Sequence, residues 1–164
     1  MRHGYLLSTL LLVAASAQAG VVINGTRLVY QGDKNESSLG LSNPDTTDYL
    51  VQSWVDSGGK NLAKAPFLIT PPLFRLDAKE DNVLRVVRTG GNLPEDRESL
   101  YWLNIKAIPS SKHVEGVNTL QIAINTRIKL LYRPSAVKGK PEDMADKLEW
   151  HREGNDLVVN NPTP

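Results

Sequence analysis

Short apolar runs alternate with turn-forming residues along most of the chain, and hardly any stretch has a helical period. The runs are rich in β-branched and aromatic residues and are bounded by Gly, Pro, Asn and Asp. They predict strands over Val21–Ile23, Arg27–Tyr30, Leu39–Leu41, Tyr49–Asp56, Phe67–Ile69, Val83–Val87, Leu100–Ile108 and Leu120–Tyr132. About seven strands at this spacing predict an all-β fold, an immunoglobulin-like β-sandwich that closes near Pro134.

Two positions within this pattern carry specific structural expectations. Trp54, in the middle of a predicted strand, is expected to pack in the core. The doubled proline Pro71-Pro72 lacks two backbone donors, which excludes a central paired strand at that point.

The last long predicted strand carries large aliphatic residues on one face. Because strand side chains alternate, one row contains Leu120, Ile122 and Ile124 and continues towards Ile128 and Leu130. This row is compatible with a half-buried strand that faces the core, and also with an edge strand that offers its large residues to a partner. Period two alone favours the first interpretation, because it indicates one buried face without naming what covers it.

The opposite row of the same strand is cationic, with Arg127 and Lys129 two residues apart. Arg27 supplies another cation in an early strand. Lone charges on strands often face water or protect an edge. If the two strands border one cleft, Arg27 and Lys129 could together bind an anion such as a carboxylate, because Arg offers a planar fork of donors and Lys a point charge.

The two ends of the chain differ from the predicted sandwich. Residues 1–19 have a basic start, an apolar run and a small-x-small site at Ala17-Gln18-Ala19, which is typical of a secretory signal peptide. We therefore expect domains at 1–19 (signal peptide), 20–137 (sandwich) and 138–164 (linker and an incomplete second β-domain). The last segment contains only two strand-sized pieces, and independent stability needs three or more strands.

Composition removes several classes of function. The chain has 164 residues with 19 Lys and Arg against 18 Asp and Glu, so no basic excess indicates nucleic-acid binding. It has no cysteine, which excludes disulfides and thiol nucleophiles. No phosphate-binding loop, nucleophile elbow or zinc-protease motif is present. His113 and His151 lie far apart and are read as solvated. We therefore expect no catalytic residues, no metal, no cofactor and no small-molecule substrate.

One run of residues is more specific than any of these patterns. Residues Leu93–Ser110 combine an acid-base-Glu-Ser segment, an aromatic residue, Asn104 and a closing Ile-Pro-Ser. This run resembles the signature of periplasmic pilus (fimbrial) assembly chaperones of the chaperone–usher pathway. Supporting similarities lie at Thr26–Tyr30, Thr70–Leu76, Ile128–Pro134 and Asn161–Pro164, so that the resemblance covers almost all of residues 20–164.

The resemblance implies a role for each residue set named above. It implies that Arg27 and Lys129 bind the C-terminal carboxylate of a pilus subunit. It also implies that Leu120, Ile122 and Ile124 fill the groove left by the subunit's missing strand, which favours the outward-facing interpretation. The implied partners are pilins, an adhesin and the outer-membrane usher, and the implied location is the periplasm.

The length of the chain departs from the family pattern of two sandwiches. The resemblance implies an interdomain charge network in which Glu98 and Arg133 are two members, while the third, an acid of the second domain, would lie beyond Pro164. The sequence is accordingly interpreted as a chaperone truncated in its second domain. The alternative interpretation is a non-functional remnant of such a chaperone.

Overall fold

The computed structural model describes residues 20–59, 64–111 and 120–164 of the chain. Strands dominate these residues, with one short 3₁₀ helix at Pro141–Lys147. The strands are β1 (Val22–Ile23), β2 (Arg27–Gln31), β3 (Glu36–Ser42), β4 (Tyr49–Asp56), β5 (Phe67–Thr70), β6 (Leu73–Leu76), β7 (Asp81–Arg88), β8 (Ser99–Pro109), β9 (Ile124–Arg133), β10 (Glu149–Glu153) and β11 (Asp156–Asn160).

Two sheets pack against each other around one core. A four-stranded sheet has the order β1-β3-β7-β5, and a five-stranded sheet has the order β2-β9-β8-β4-β6. Strands β2 and β9 pair in parallel, whereas the other strand pairs within these sheets are antiparallel. The all-β sandwich predicted from the sequence is confirmed.

The opening of the chain contributes to both sheets. Strand β1 pairs with β3 in the four-stranded sheet, and β2 pairs with β9 in the five-stranded sheet. The sequence predicted a single opening edge here, and the structure divides it between two sheets. The division brings Arg27 into the same sheet as Lys129.

The doubled proline lies where the chain crosses from one sheet to the other. It separates β5, the last strand of the four-stranded sheet, from β6, the last strand of the five-stranded sheet. Ser53 binds the crossing, with its hydroxyl donating to the Pro71 carbonyl at 3.1 Å and its N–H to the Pro72 carbonyl at 2.8 Å. The exclusion of a central strand at Pro71-Pro72 is confirmed.

The core contains the inward residues of both sheets and an aromatic cluster. Val51, Leu103 and Leu130 are fully buried. The rings of Tyr30 and Phe67 meet edge to face with centroids 5.4 Å apart, a preferred aromatic geometry.

Trp54 does not belong to this core, so the packing expectation for it is wrong. Its side chain is 36% exposed, whereas Val51 and Ser53 on the same strand are buried. Strand alternation requires this, since Trp54 is an odd number of residues from Val51 and therefore points to the outer face. The sequence pattern identified the strand, but the size of the Trp side chain was a poor guide to its face.

A buried carboxylate lies close to the outer face of the five-stranded sheet. Asp56 is only 6% exposed. It accepts hydrogen bonds from the Gly58 N–H at 2.8 Å, the Asn104 amide at 2.7 Å and the Arg127 guanidinium at 2.8 Å. Burial alone would raise the pKa of Asp56, but these three donors together hold the pKa below its ordinary value.

The C-terminal segment forms a hairpin outside the sandwich. Strands β10 and β11 pair antiparallel as a separate two-stranded sheet. The hairpin leaves Trp150, Leu157 and Val159 exposed. The two strand-sized pieces expected in the tail are thus present.

We predict that Asp56→Asn lowers the free energy of unfolding at pH 7 by about 1–3 kcal/mol, because it removes the charge that Arg127 binds. The pKa of Asp56 is lower in the folded state than in the unfolded chain. The carboxylate therefore contributes fully above the ordinary Asp range near about 3.9, and the contribution disappears as the pH falls through the folded-state value. Urea unfolding at pH 7 and pH 3 measures the difference.

Asp33→Asn is the matched control, because Asp33 is exposed and, among the described residues, forms an ion pair with Lys34 alone, at 3.8 Å. We expect the control to behave as the unsubstituted protein. Equal stability of the two variants at pH 7 would contradict a stabilising role for the Asp56 cluster.

Candidate functional site

The first half of β9 has an open edge in the five-stranded sheet. On one side β8 pairs with β9 from Ile124 to Tyr132. On the other side β2 pairs only with residues Lys129–Arg133. Within the described residues, no strand occupies the β2 side of residues 124–128. Their backbone donors and acceptors on that side are available to an added strand.

Arg27 and Lys129 meet at the point where this open edge ends. Arg27 is the first residue of β2, and its register partner on β9 is Lys129. Neighbouring strands lie about 4.8 Å apart. Both side chains are exposed and lie on the outer face, because Leu28 and Leu130, one residue further along each strand, are buried. The sequence alone did not show this proximity.

Neither cation has a partner within the part of the chain that the structure describes. Among residues 20–59, 64–111 and 120–164, no hydrogen bond or ion pair involves the side chain of Arg27 or Lys129. Two unpaired positive charges on adjacent strands form a ready site for an anion, and two oxygens of one carboxylate can accept from both.

The aliphatic row at and before the start of β9 lies largely uncovered. Leu120, Ile122 and Ile124 are 88%, 65% and 55% exposed. The strand begins at Ile124, so the expected strand start at Leu120 is wrong by four residues. Ile124 pairs with Ala107 and therefore lies on the same face as the buried Ile128.

The row has features of both interpretations, the core-facing strand and the edge strand that offers its side chains to a partner. Ile124 is on the core side of its sheet, and Ile122 and Ile124 border an apolar pocket with Val21, Ile23 and Tyr49. The exposed fractions nevertheless show that little of the four-stranded sheet covers them.

Glu98 and Arg133 form a half-buried ion pair next to the linker. The two side chains are 24% and 13% exposed and meet at 2.5 Å. The other guanidinium nitrogen of Arg133 donates to the Gly139 carbonyl at 2.5 Å. This pair therefore fastens the start of the C-terminal segment to β8 and β9. The contact with Gly139 was not anticipated from the sequence.

Sequence reasoning also missed the aromatic support beside Lys129. Trp102 is the register partner of Lys129 on β8. The guanidinium of Arg127 lies over the Trp102 ring, 4.4 Å from its centroid, and is bound to Asp56. Gly58 also lies close to the ring: its backbone has φ +74°, and an added Cβ would lie 2.9 Å from the ring. Spacing along β9 placed Arg127 on the cationic row but gave no sign of these partners.

The remaining site expectations concern the two histidines and the absence of a metal site. His151 is exposed and contacts Glu153 at 3.0 Å, and His113 lies outside the described residues, as does the predicted signal peptide. No group of three metal-binding side chains occurs within the described ranges. In the same part of the chain, no helix has the length and apolar character needed to cross a membrane.

Comparison with protein families assigns this sandwich directly. The family described as pili and flagellar-assembly chaperone, PapD N-terminal domain, matches residues 20–138. The chain belongs to this chaperone family. Chaperones are not enzymes, which confirms the expectation of a non-catalytic protein.

Individual relatives agree with the family assignment. The chain is 47% identical over 171 residues to the chaperone protein LpfB of Salmonella typhimurium, covering 99% of this chain and 73% of the relative. It is 43% identical over 166 residues to the chaperone protein FimC of Escherichia coli K12, covering 98% and 68%. A probable fimbrial chaperone LpfB of Escherichia coli O157:H7 is 50% identical over 146 residues, with 88% of this chain and 62% of the relative covered. This chaperone chain thus spans roughly two thirds of the relatives' length.

Solved structures show the same fold. The Salmonella enterica SafA pilin in complex with the SafB chaperone matches with a TM-score of 0.81 and 44% identity, over 92% of this chain and 71% of the matched chain. The Escherichia coli chaperone DraB matches with a TM-score of 0.79 and 44% identity, over 88% and 69%. These similarities confirm the fold class assigned from the sequence.

We predict that the uncovered aliphatic row of this chaperone contributes little to its own stability. Leu120→Ser should change the free energy of unfolding by less than about 0.5 kcal/mol, since the side chain is already in water. Ile128→Ser is the matched control on the same face, and we expect it to cost about 2–5 kcal/mol because Ile128 is buried. Urea unfolding of both variants measures this. A large loss with Leu120→Ser would show that the row is covered in solution.

Proposed function

We propose that this chaperone binds pilus subunits in the periplasm by donating β9 to a subunit's incomplete groove, so that a subunit strand pairs with the open edge of β9, and by anchoring the subunit's C-terminal carboxylate. We propose further that it delivers the bound subunits to the outer-membrane usher. The observation that carries the proposal is the open edge of β9. This edge ends at Arg27 and Lys129, two cations that have no partner among the described residues. Strand addition to a sheet edge is a recognised mode of peptide binding, including in chaperone–pilin complexes. The match to a structure of a pilin in complex with its chaperone supports the same class of partner.

The geometry of β2 favours one direction for the added strand. Strand β2 runs parallel to β9 and begins at Arg27. A subunit strand on the open edge occupies the place in the sheet that precedes β2. If its C-terminus meets Arg27 and Lys129, the strand runs parallel to β9, in line with β2. The carboxylate then fixes the register, because a slip by one residue would separate it from the cations.

The aliphatic row supplies the apolar part of binding. Leu120, Ile122 and Ile124 lie two residues apart and would enter successive pockets of a subunit groove. Fully burying an aliphatic side chain contributes about 1.5–3 kcal/mol, from which the cost of ordering residues 120–123 must be subtracted. The row thus provides affinity, while the two cations provide register.

The remaining parts of the chain have supporting roles in this proposal. Residues 1–19 direct export and are removed, in keeping with a match to a chaperone named as periplasmic, SfaE. Residues 20–137 form the subunit-binding domain, and residues 138–164 form the linker and the beginning of a second β-domain. Glu98 and Arg133 belong to the charge network between the two domains, and their contact with Gly139 is consistent with that role.

We predict that Lys129→Ala and Arg27→Ala each weaken capture of a subunit through loss of the carboxylate contact. A synthetic peptide of the subunit's last strand should bind the unsubstituted chaperone about ten-fold or more tightly than its C-terminal amide, a difference of about 1.4 kcal/mol. Lys129→Ala should remove most of that difference. Fluorescence anisotropy of the two labelled peptides measures it.

Arg85→Ala is the matched control for these cation substitutions. Arg85 is an exposed arginine of the four-stranded sheet, remote from the β9 edge. We expect it to leave both affinities unchanged. Equal binding of the acid and amide peptides by the unsubstituted chaperone would overturn the carboxylate contact. Binding of the amide peptide tests strand addition separately, because that peptide has no C-terminal carboxylate.

We predict a separate effect for the aliphatic row. Ile122→Ser should weaken binding of acid and amide peptides by the same factor, about ten-fold, because it removes burial and leaves the cations unchanged. Val83→Ser, an exposed valine of the other sheet, is the control. Co-expression with a subunit, followed by affinity recovery of the soluble complex, tests the same row in the periplasm. Recovery of equal amounts of complex with Ile122→Ser and with the unsubstituted chain would contradict the role of the row.

A further inference from the structure

The start of the described chain is bound by a carboxylate that the proposed function does not use. The backbone N–H of Gly20 donates to Oδ2 of Asp45 at 2.8 Å. The same oxygen accepts the Tyr49 hydroxyl at 2.7 Å. Asp45 therefore receives two donors that come from different parts of the chain, one from the N-terminal segment and one from β4.

This carboxylate is held in place by buried neighbours. The N–H of Asp45 donates to Oδ1 of Asn43 at 3.1 Å. Asn43 is 1% exposed, and its amide donates to the carbonyls of Thr47 at 2.8 Å and Asp77 at 2.9 Å. The hydrogen bonds of Asn43 thus fix the turn that carries Asp45, so the position of the Asp45 carboxylate is preorganised.

The electrostatics of the group agree with this geometry. The Tyr49 hydroxyl, and after it the Gly20 N–H, lower the pKa of Asp45. The hydrogen bond to the same carboxylate raises the pKa of Tyr49 to about 12. Asp45 is therefore an anion at neutral pH, and Tyr49 remains a neutral donor to it.

The position of Gly20 gives this anion a specific ligand. Hydrolysis of the Ala19–Gly20 bond, at the predicted signal-peptide cleavage site, consumes one water and leaves a carboxylate on Ala19 and an amine on Gly20. An α-amino group has a pKa of about 7.7–8.0 and is mostly protonated at pH 7. We infer that Asp45 and Tyr49 form the binding site for the α-ammonium group of the chain's own processed N-terminus.

Processing would convert a neutral contact into a charged one. Before cleavage Gly20 offers Asp45 a single amide N–H. After cleavage it offers an ammonium group, and hydrogen bonds between ionised partners are stronger than those between neutral groups. The processed chain is therefore held at its start more firmly than a chain that continues beyond Gly20.

The site lies beside the aliphatic row at the start of β9. Gly20 and Tyr49 border the same apolar pocket as Ile122 and Ile124, together with Val21 and Ile23 of the N-terminal segment. Fixing the N-terminus holds one wall of this pocket in place. The ammonium site thus stabilises the surface against which Ile122 and Ile124 rest in the absence of a partner.

This inference rests on the proposed cleavage, and the two can fail separately. Mass spectrometry of the protein recovered from the periplasm should give Gly20 as its first residue, and a different first residue would overturn the inference at its premise. The ammonium site itself is tested on protein produced with Gly20 as its first residue. Neither measurement involves a pilus subunit.

A thermodynamic cycle tests the contact between the charge and Asp45. The chain that begins at Gly20 is compared with one extended by a single Ala, which retains the Gly20 N–H but moves the charge away, each with Asp45 and with Asp45→Asn. We expect the extension to raise the equilibrium constant for unfolding about three-fold when Asp45 is present, and not when it is Asn. An equal effect of the extension in both backgrounds would overturn the inference.

A second measurement needs no substitution at Asp45. Amide hydrogen exchange at residues 21–24 and 122–126 should be slower in the chain that begins at Gly20 than in the Ala-extended chain. Exchange at residues 82–86, in β7, should be unchanged and serves as the internal control. Equal exchange of the two chains at residues 122–126 would overturn the coupling to the aliphatic row.

Discussion

The parallel pairing of β2 with the second half of β9 is the constraint on which the rest of the site depends. It places Arg27 opposite Lys129, and it ends at that pair, so that the first half of β9 keeps an unpaired edge. If β2 began two residues earlier, it would pair with part of the open edge of β9. Arg27 and Lys129 would then no longer lie where that edge ends. In the proposed complex, the register and direction of an added strand both follow from where this short strand begins.

The sequence predicted the strands and the alternation of their side chains, because both depend on local pattern. It predicted the sandwich, the absence of a central strand at Pro71-Pro72 and the two rows of β9. It could not predict that Arg27 and Lys129 are register partners, because pairing between strands far apart in the sequence depends on the whole fold. The resemblance to pilus chaperones assigned them a shared role before the structure placed them together.

The errors have physical causes of the same kind. Trp54 was assigned to the core by its size, whereas its face depends on which neighbours point inward. Strand β9 starts at Ile124 and not at Leu120 because its pairing with β8 ends at Ala107 and Ile124. The aliphatic row continues beyond that pairing, so the apolar pattern extends further than the strand. The Asp56 cluster was missed because its four residues come from three strands, β4, β8 and β9, and from the loop that follows β4.

Gly58 constrains the packing of Trp102 and Arg127 beside Lys129. It lies in a surface turn after β4, yet its missing side chain leaves room for the Trp102 ring on which Arg127 lies, next to Lys129. A methyl group there would meet both a positive φ and the indole. A side chain at position 58 would therefore displace the Trp102 ring and, with it, the support for the Arg127–Asp56 ion pair, although Gly58 lies outside the strands that carry these residues.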